Sequence, residues 1–348
     1  MKNSMNRRIF ARFGALGLGA SWLAPGAAAQ PWAPAARPPA ELPDLPPPPP
    51  ADVDQRFFPG FRAESVRTAG ATIHVLRGGT GPPLLLLHGH PQTHVMWHKI
   101  AGELARQYTV VLPDLRGYGD SSKPDGGTDH INYSFRSMAQ DQVEVMRHFG
   151  FEKFYLAGHD RGGRVAHRLC LDHPSAVLKV SLLDIAPTLT MYNATSKEFA
   201  TKYVWWFFQI QPYPTPEHLI GLDPVYYLKH HLAVQGKTPG GVTPEALQEY
   251  LRCYCCKGTI HAVCEDYRAA ASVDLDMDRA DDTAGRYVTA PLLALWGAKG
   301  TVGHLWNVLD TWRAKANTVS GQALDCGHFL PEEQPQAVLA QFKMFFRP

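Results

Sequence analysis

Cysteine is scarce in this chain. The six that occur, Cys170, Cys253, Cys255, Cys256, Cys264 and Cys326 among 348 residues, match no zinc-ligand spacing. That excludes a disulfide-stapled scaffold and makes buried free thiols the expectation. No other cluster of ligand residues suggests a metal, and nothing calls for an organic cofactor. Charge imbalance is lacking too. The formal net charge is +2, and residues 1–29 contribute Lys2, Arg7, Arg8 and Arg12 without one acid. Without that segment 30 basic residues face 32 acidic ones, and no basic run remains. Nucleic acid and anionic membrane surfaces are therefore excluded as partners. Past the first thirty residues no apolar stretch is long enough to cross a bilayer, and no segment repeats.

What is present begins with a leader. Asn6-Arg7-Arg8-Ile9-Phe10 is a twin-arginine motif, a mild apolar stretch runs from Phe13 to Leu23, and Ala27-Ala28-Ala29 offers a signal-peptidase site. Export of the folded protein to the periplasm is the expectation, with no stable membrane partner once the leader is cleaved. Ten prolines between residues 31 and 50 read as an extended spacer with little to bury, so 30–56 is assigned to a linker.

From Phe57 the pattern is strand and helix in alternation. Thr72–Leu76, Leu84–Leu87, Tyr108–Leu112, Phe154–Ala157, Leu178–Leu183 and Pro291–Trp296 read as strands, several of them continuously apolar as parallel strands buried on both faces require. Residues 134–149 and Val165–Leu171 read as helices. Alternation of this kind predicts an α/β fold with a mostly parallel central sheet. Between 188 and 288 strand-like runs disappear and aromatic residues crowd at helical spacing, including Trp205-Trp206-Phe207-Phe208. We therefore expect a core of 57–187 and 289–348 interrupted by a helical cap, which would close a pocket over the carboxyl ends of the strands.

The decisive segment is Gly158-His159-Asp160-Arg161-Gly162, where an apolar strand enters a turn flanked by glycines and continues as a helix. This is the nucleophile-elbow pattern, with the central residue held in a strained turn. Aspartate there, rather than serine, points to displacement at a saturated carbon. The competing reading is a strand–helix turn with a capping Asp. Three segments argue for the elbow. His88-Gly89-His90-Pro91 follows the strand 84–87, where the His90 backbone amide would form an oxyanion hole with that of Arg161. His328 stands near the C-terminus as a base, and Asp114-Leu115-Arg116-Gly117-Tyr118-Gly119-Asp120-Ser121 suits the same site. The loop after Trp296 has no carboxylate, so Asp184, ending an apolar strand, is assigned to orient His328. Arg161 and Arg164 sit at the start of a helix, where cations are disfavoured unless they hold an anion such as a substrate carboxylate. Other histidines, such as His230 and His231, read as surface residues.

With these residues the chain resembles the fluoroacetate (haloacetate) dehalogenases, which implies an α/β-hydrolase fold. The likeness runs from about Phe57 to Phe346 and includes Pro91-Gln92-Thr93-His94-Val95-Met96-Trp97, the elbow, Cys264-Glu265-Asp266-Tyr267-Arg268-Ala269, and Gly327-His328-Phe329-Leu330-Pro331-Glu332-Glu333. It implies Asp160 as nucleophile, His328 as base, Asp184 as its partner, and Arg161 with Arg164 on the carboxylate. It also implies a halide site from a His-Trp pair and a Tyr in the cap. Trp206 and Tyr267 match, but the His position is Trp205, and His90 replaces the usual Phe. The activity implied is hydrolysis of a small 2-haloacid, a small-molecule substrate, with homodimer formation left open; the departure at Trp205 adds the expectation that fluoroacetate is used weakly. An epoxide hydrolase with the same triad, and a non-catalytic ligand-binding protein, are the alternatives.

Overall fold

The computed structural model describes residues 41–50 and 52–347. The expected leader, and the spacer up to residue 40, lie outside the described residues. The described end of the spacer is not idle. The Pro43 and Asp44 carbonyls accept from the amides of Lys257 and Gly258 at 2.8 and 2.9 Å, so it runs against a helix start. A short helix, α1 (Val53–Phe57), then takes up the last residues expected to be linker and ends on Phe57, the expected first residue of the body.

Eight strands form one sheet: β1 (Arg62–Arg67), β2 (Thr72–Gly78), β3 (Pro83–Leu87), β4 (Thr109–Pro113), β5 (Phe154–His159), β6 (Val177–Leu183), β7 (Leu292–Gly297) and β8 (Val319–Leu324). Their order is β1-β2-β4-β3-β5-β6-β7-β8. The β1–β2 and β2–β4 pairs are antiparallel and the rest parallel. β4 and β5 are buried at every position, which is why they are continuous apolar runs. The unpredicted strands are the outer ones. β1 buries one residue of six, and β8 likewise only Leu324, so neither carries a core signature.

Helices that flank the sheet include α2 (His98–Leu104), α3 (Phe135–His148) and α4 (Asp160–Asp172). α3 begins at Ser134, whose hydroxyl accepts from the Ser137 amide at 3.2 Å. It buries Phe135, Met138, Ala139, Gln142, Val143 and Met146, a stripe at i, i+3, i+4 and i+7.

Between β6 and β7 come eight helices and no strand: α5 (Thr188–Asn193), α6 (Lys197–Lys202), α7 (Val204–Phe208), α8 (Thr215–Leu222), α9 (Pro224–Gln235), α10 (Pro244–Tyr254), α11 (Lys257–Ala270) and α12 (Val273–Thr283). Their starts follow from sequence. Asp223 and Thr243 cap α9 and α10, each with proline at the first helical position, where its missing N–H costs nothing. All six cysteines are free thiols.

Candidate active site

Asp160 sits where β5 meets α4, at φ 47°, a left-handed conformation that few non-glycine residues adopt. Crowding on every side makes the turn this tight. A Cβ on Gly158 would come within 2.4 Å of the Gly162 carbonyl, and one on Gly162 within 2.3 Å of the His88 carbonyl. At Gly89 a Cβ would lie 2.5 Å from that of Asp160, so only glycine lets the loop after β3 pass. That loop delivers the His90 amide, which donates to Asp160 Oδ1 at 2.9 Å. It is braced by His88, whose Nε2 accepts from the Leu115 amide at 3.0 Å, leaving Nδ1–H to donate to the Gly89 carbonyl at 3.1 Å. The Arg161 amide lies in the first turn of α4, where helix amides have no intrahelical acceptor.

His328 follows β8 and meets Asp184, at the end of β6. Nδ1 lies 2.5 Å from Asp184 Oδ2, and Nε2 lies 3.9 Å from Asp160 Oδ2 without a hydrogen-bond partner. Asp184 Oδ1 accepts from the Gly297 amide at 2.9 Å. The last residue of β7 thus contributes an amide next to the loop where the usual carboxylate is missing. Burial disfavours an imidazolium here, but the hydrogen bond and charge of Asp184, with the charge of Asp160, outweigh it and raise the His328 pKa. Burial would likewise raise the Asp160 pKa. His328, His159, Arg164 and Arg161 overcome it, so the carboxyl stays ionised well below the usual carboxylate range.

The two arginines differ. Arg161 is fully buried and ion-paired with Asp266 of α11, its Nε 2.9 Å from Oδ2 and its Nη2 also on Oδ1. Asp266 accepts from the Tyr118 hydroxyl at 2.6 Å as well. Only Nη1 of Arg161 is left without a partner. Arg164 has no carboxylate partner among the described residues. Its Nη1 donates to the Ala186 carbonyl at 3.1 Å and Thr188 Oγ1 at 3.0 Å, while Nε is buried and unpartnered. Burial lowers its pKa, and Asp160 only partly offsets that.

Aromatic rings continue the wall. Arg164 lies 4.6 Å over Trp206 and Arg161 4.2 Å over Tyr267, with those two rings 6.4 Å apart. Tyr267 lies 5.5 Å from His90, His90 4.8 Å from His231, and His231 4.4 Å from Trp205. Trp206 Nε1, both ring nitrogens of His90, and His231 Nδ1 are buried without partners. The expectation that His231 lies at the surface is therefore corrected, whereas His230 is exposed. On α9 the buried face carries Leu228, His231, Leu232 and Gln235, spaced at i, i+3, i+4 and i+7. That stripe was the available signal, and it goes unread when a His-His pair is taken as solvated. Gln235 Nε2 lies 2.6 Å from His231 Nε2, which makes that ring nitrogen an acceptor and puts the proton on Nδ1.

Residues 82–220 match the family described as alpha/beta hydrolase fold. The chain is similar to a fluoroacetate dehalogenase from Burkholderia sp., 44% identical over 80% of this chain and 91% of that one. It is also similar to a soluble epoxide hydrolase from Corynebacterium sp. (strain C12), 34% identical over 80% and 95%. Among solved structures, ALR0039 from Nostoc sp. PCC 7120 superposes with a TM-score of 0.81 at 56% identity, covering 83% of this chain and 98% of that one. With an α/β-hydrolase sheet and relatives matched over nearly their whole length, this chain belongs to the fluoroacetate and haloacetate dehalogenase family of α/β-hydrolases.

Proposed function

We propose that this hydrolase removes halide from a small 2-haloacid through an ester on Asp160. The observation that carries the reading is Arg164, a buried guanidinium four residues past the nucleophile with no carboxylate partner among the described residues. With Arg161 Nη1 it offers N–H groups to an anion, and a neutral substrate would give them nothing to bind. In the first step an Asp160 oxygen attacks the α-carbon, and the carbon–halogen electron pair leaves with the halide. Trp205, Trp206 and Tyr267 would face the departing halide, joined by His231 Nδ1–H. In the second step His328 Nε2 takes a proton from water, whose oxygen attacks the Asp160 carbonyl carbon. The oxyanion that forms meets the His90 and Arg161 amides. Collapse expels the 2-hydroxyacid as its alkoxide, which takes its proton from His328, and the Asp160 carboxyl loses water's second proton to solvent, which restores the carboxylate.

Epoxide opening is the second reading, favoured by the likeness to the Corynebacterium enzyme and by Tyr267 on the same wall. The assembled Asp160–His328–Asp184 contacts speak against a merely ligand-binding protein. Halide release from chloroacetate and fluoroacetate, beside hydrolysis of a small epoxide at matched concentration, tests the choice. The reading expects chloride release to lead, because fluoride needs close, strong donors and Trp205 stands where the family has histidine. Faster epoxide turnover would overturn it. The twin-arginine motif Asn6-Arg7-Arg8-Ile9-Phe10 supports the further proposal that this activity is exported to the periplasm.

A further inference from the structure

Away from the pocket, Asp54 of α1, His74 of β2 and His94 of the turn after β3 bring a carboxylate and two imidazoles together, their ligand atoms all within 4.8 Å of one another. His94 Nε2 is 3.5 Å from Asp54 Oδ1, and His74 Nε2 is 3.8 Å from Asp54 Oδ2. These separations are too long for good hydrogen bonds, and both Nε2 atoms are buried without partners. His94 is 2% exposed, so its unpartnered nitrogen cannot turn to water instead. Ligand atoms about 2.0–2.1 Å from a tetrahedral zinc ion stand roughly 3.3 Å apart, so the three side chains, now up to 4.8 Å apart, need to close in slightly around an ion.

Two further features set this cluster apart. His94 is oriented as metal-bound histidines usually are: its Nδ1 lies 2.9 Å from Asp114 Oδ1, which also accepts from the His94 amide at 2.8 Å. Other groupings of acids in the protein are already neutralised. Arg252 bonds both Asp120 and Glu249, and Arg268 bonds both Glu217 and Glu265. No lysine or arginine bridges Asp54, His74 and His94 among the described residues.

We propose that Asp54, His74 and His94 form a site for a divalent transition-metal ion of the zinc type, with Asp114 as the outer partner of His94. Two imidazoles and one carboxylate suit zinc better than magnesium or calcium, which prefer all-oxygen shells. Asp54 is 23% exposed, which gives the ion a way in and leaves room for water to complete its shell. The ligands fall twenty residues apart, on a helix, a strand and a turn, so no short motif announces them. The ion would fasten α1 to the sheet and to the loop that carries the His90 amide, which makes its effect one of stability rather than chemistry.

The test is metal content and melting of the full-length protein, stripped with chelator, dialysed and titrated with zinc chloride. The expected result is one equivalent bound per chain by elemental analysis, with a rise in melting temperature. His74→Phe and Asp54→Asn should each weaken uptake at least tenfold and abolish that rise. Wild-type protein that takes up no stoichiometric zinc at micromolar free metal overturns the proposal, whatever the variants do. So does equal uptake by wild type and both variants, which would place the zinc elsewhere.

Discussion

Replacing Arg164 with methionine should separate recognition of the substrate from stability of the fold. In the free protein its guanidinium donates to two neutral oxygens, stacks on Trp206, and has no carboxylate partner among the described residues. Methionine forfeits those contacts but also relieves burial of an uncompensated charge, so the two terms oppose and unfolding should change by only about 1 kcal/mol. Binding is different. One lost charge-assisted hydrogen bond to the substrate carboxylate is worth about 1.5–3 kcal/mol, which lowers kcat/KM for chloroacetate roughly 10- to 150-fold. Most of that should appear in KM, because the carboxylate is held equally before and during displacement. Arg161→Met makes the contrast, since it strands Asp266 and should destabilise by about 3–5 kcal/mol. Halide-release kinetics and denaturant melts of both variants give the comparison. Equal losses on chloroacetate and on its uncharged amide would refute the anion role of Arg164, and an Arg164→Met melt as poor as that of Arg161→Met would refute the stability argument.

Other outcomes follow from the same geometry. Esterification removes the charge of Asp160 and with it one of the carboxylates that, after Asp184, raise the His328 pKa, so His328 releases its proton more readily in the intermediate. Steady-state turnover should fall as pH drops through that lowered pKa, while the single-turnover halide burst persists to far lower pH because Asp160 stays ionised; stopped-flow halide detection across pH separates the two, and parallel profiles would contradict the assignment. Burial pushes the Glu332 pKa up to about 8 from its ordinary 4.5, so the folded state keeps a proton that the unfolded chain releases. The stability this group contributes is full below about 4.5 and is lost as pH rises to about 8, on the order of a few kcal/mol. Glu332→Gln should therefore gain on wild type in urea melts as pH rises over that range, and an unchanged difference would count against it. His231→Phe should slow chloride release roughly tenfold, as expected for one lost hydrogen bond to a developing anion, with little change in KM. A normal rate would remove His231 from the halide side.

Legibility in the sequence followed burial and chemical cost. Leu84–Leu87 and Phe154–Ala157 could be read as strands because both faces are covered, and Asp160 and Asp184 stand out because a carboxylate ending an apolar strand demands a partner. β1 and β8 were invisible, since exposed outer strands can carry Arg62, Glu64, Ser320 and Gln322 without penalty. The Arg161–Asp266 pair lies 105 residues apart, and no local pattern says which acid of α11 will reach the elbow. His231 was hidden for the related reason that its neighbours, Trp205 and His90, come from a different helix and from the loop after β3.

The central claim is an ester on Asp160, and the most direct measurement is the intact mass of His328→Asn protein after incubation with chloroacetate, beside Asp160→Asn as control. A stable adduct of one carboxymethyl group is expected, mapped to the peptide that holds Asp160 and absent from the control. No adduct with chloroacetate, and one formed instead from a small epoxide, would contradict it and leave Arg164 without its anion.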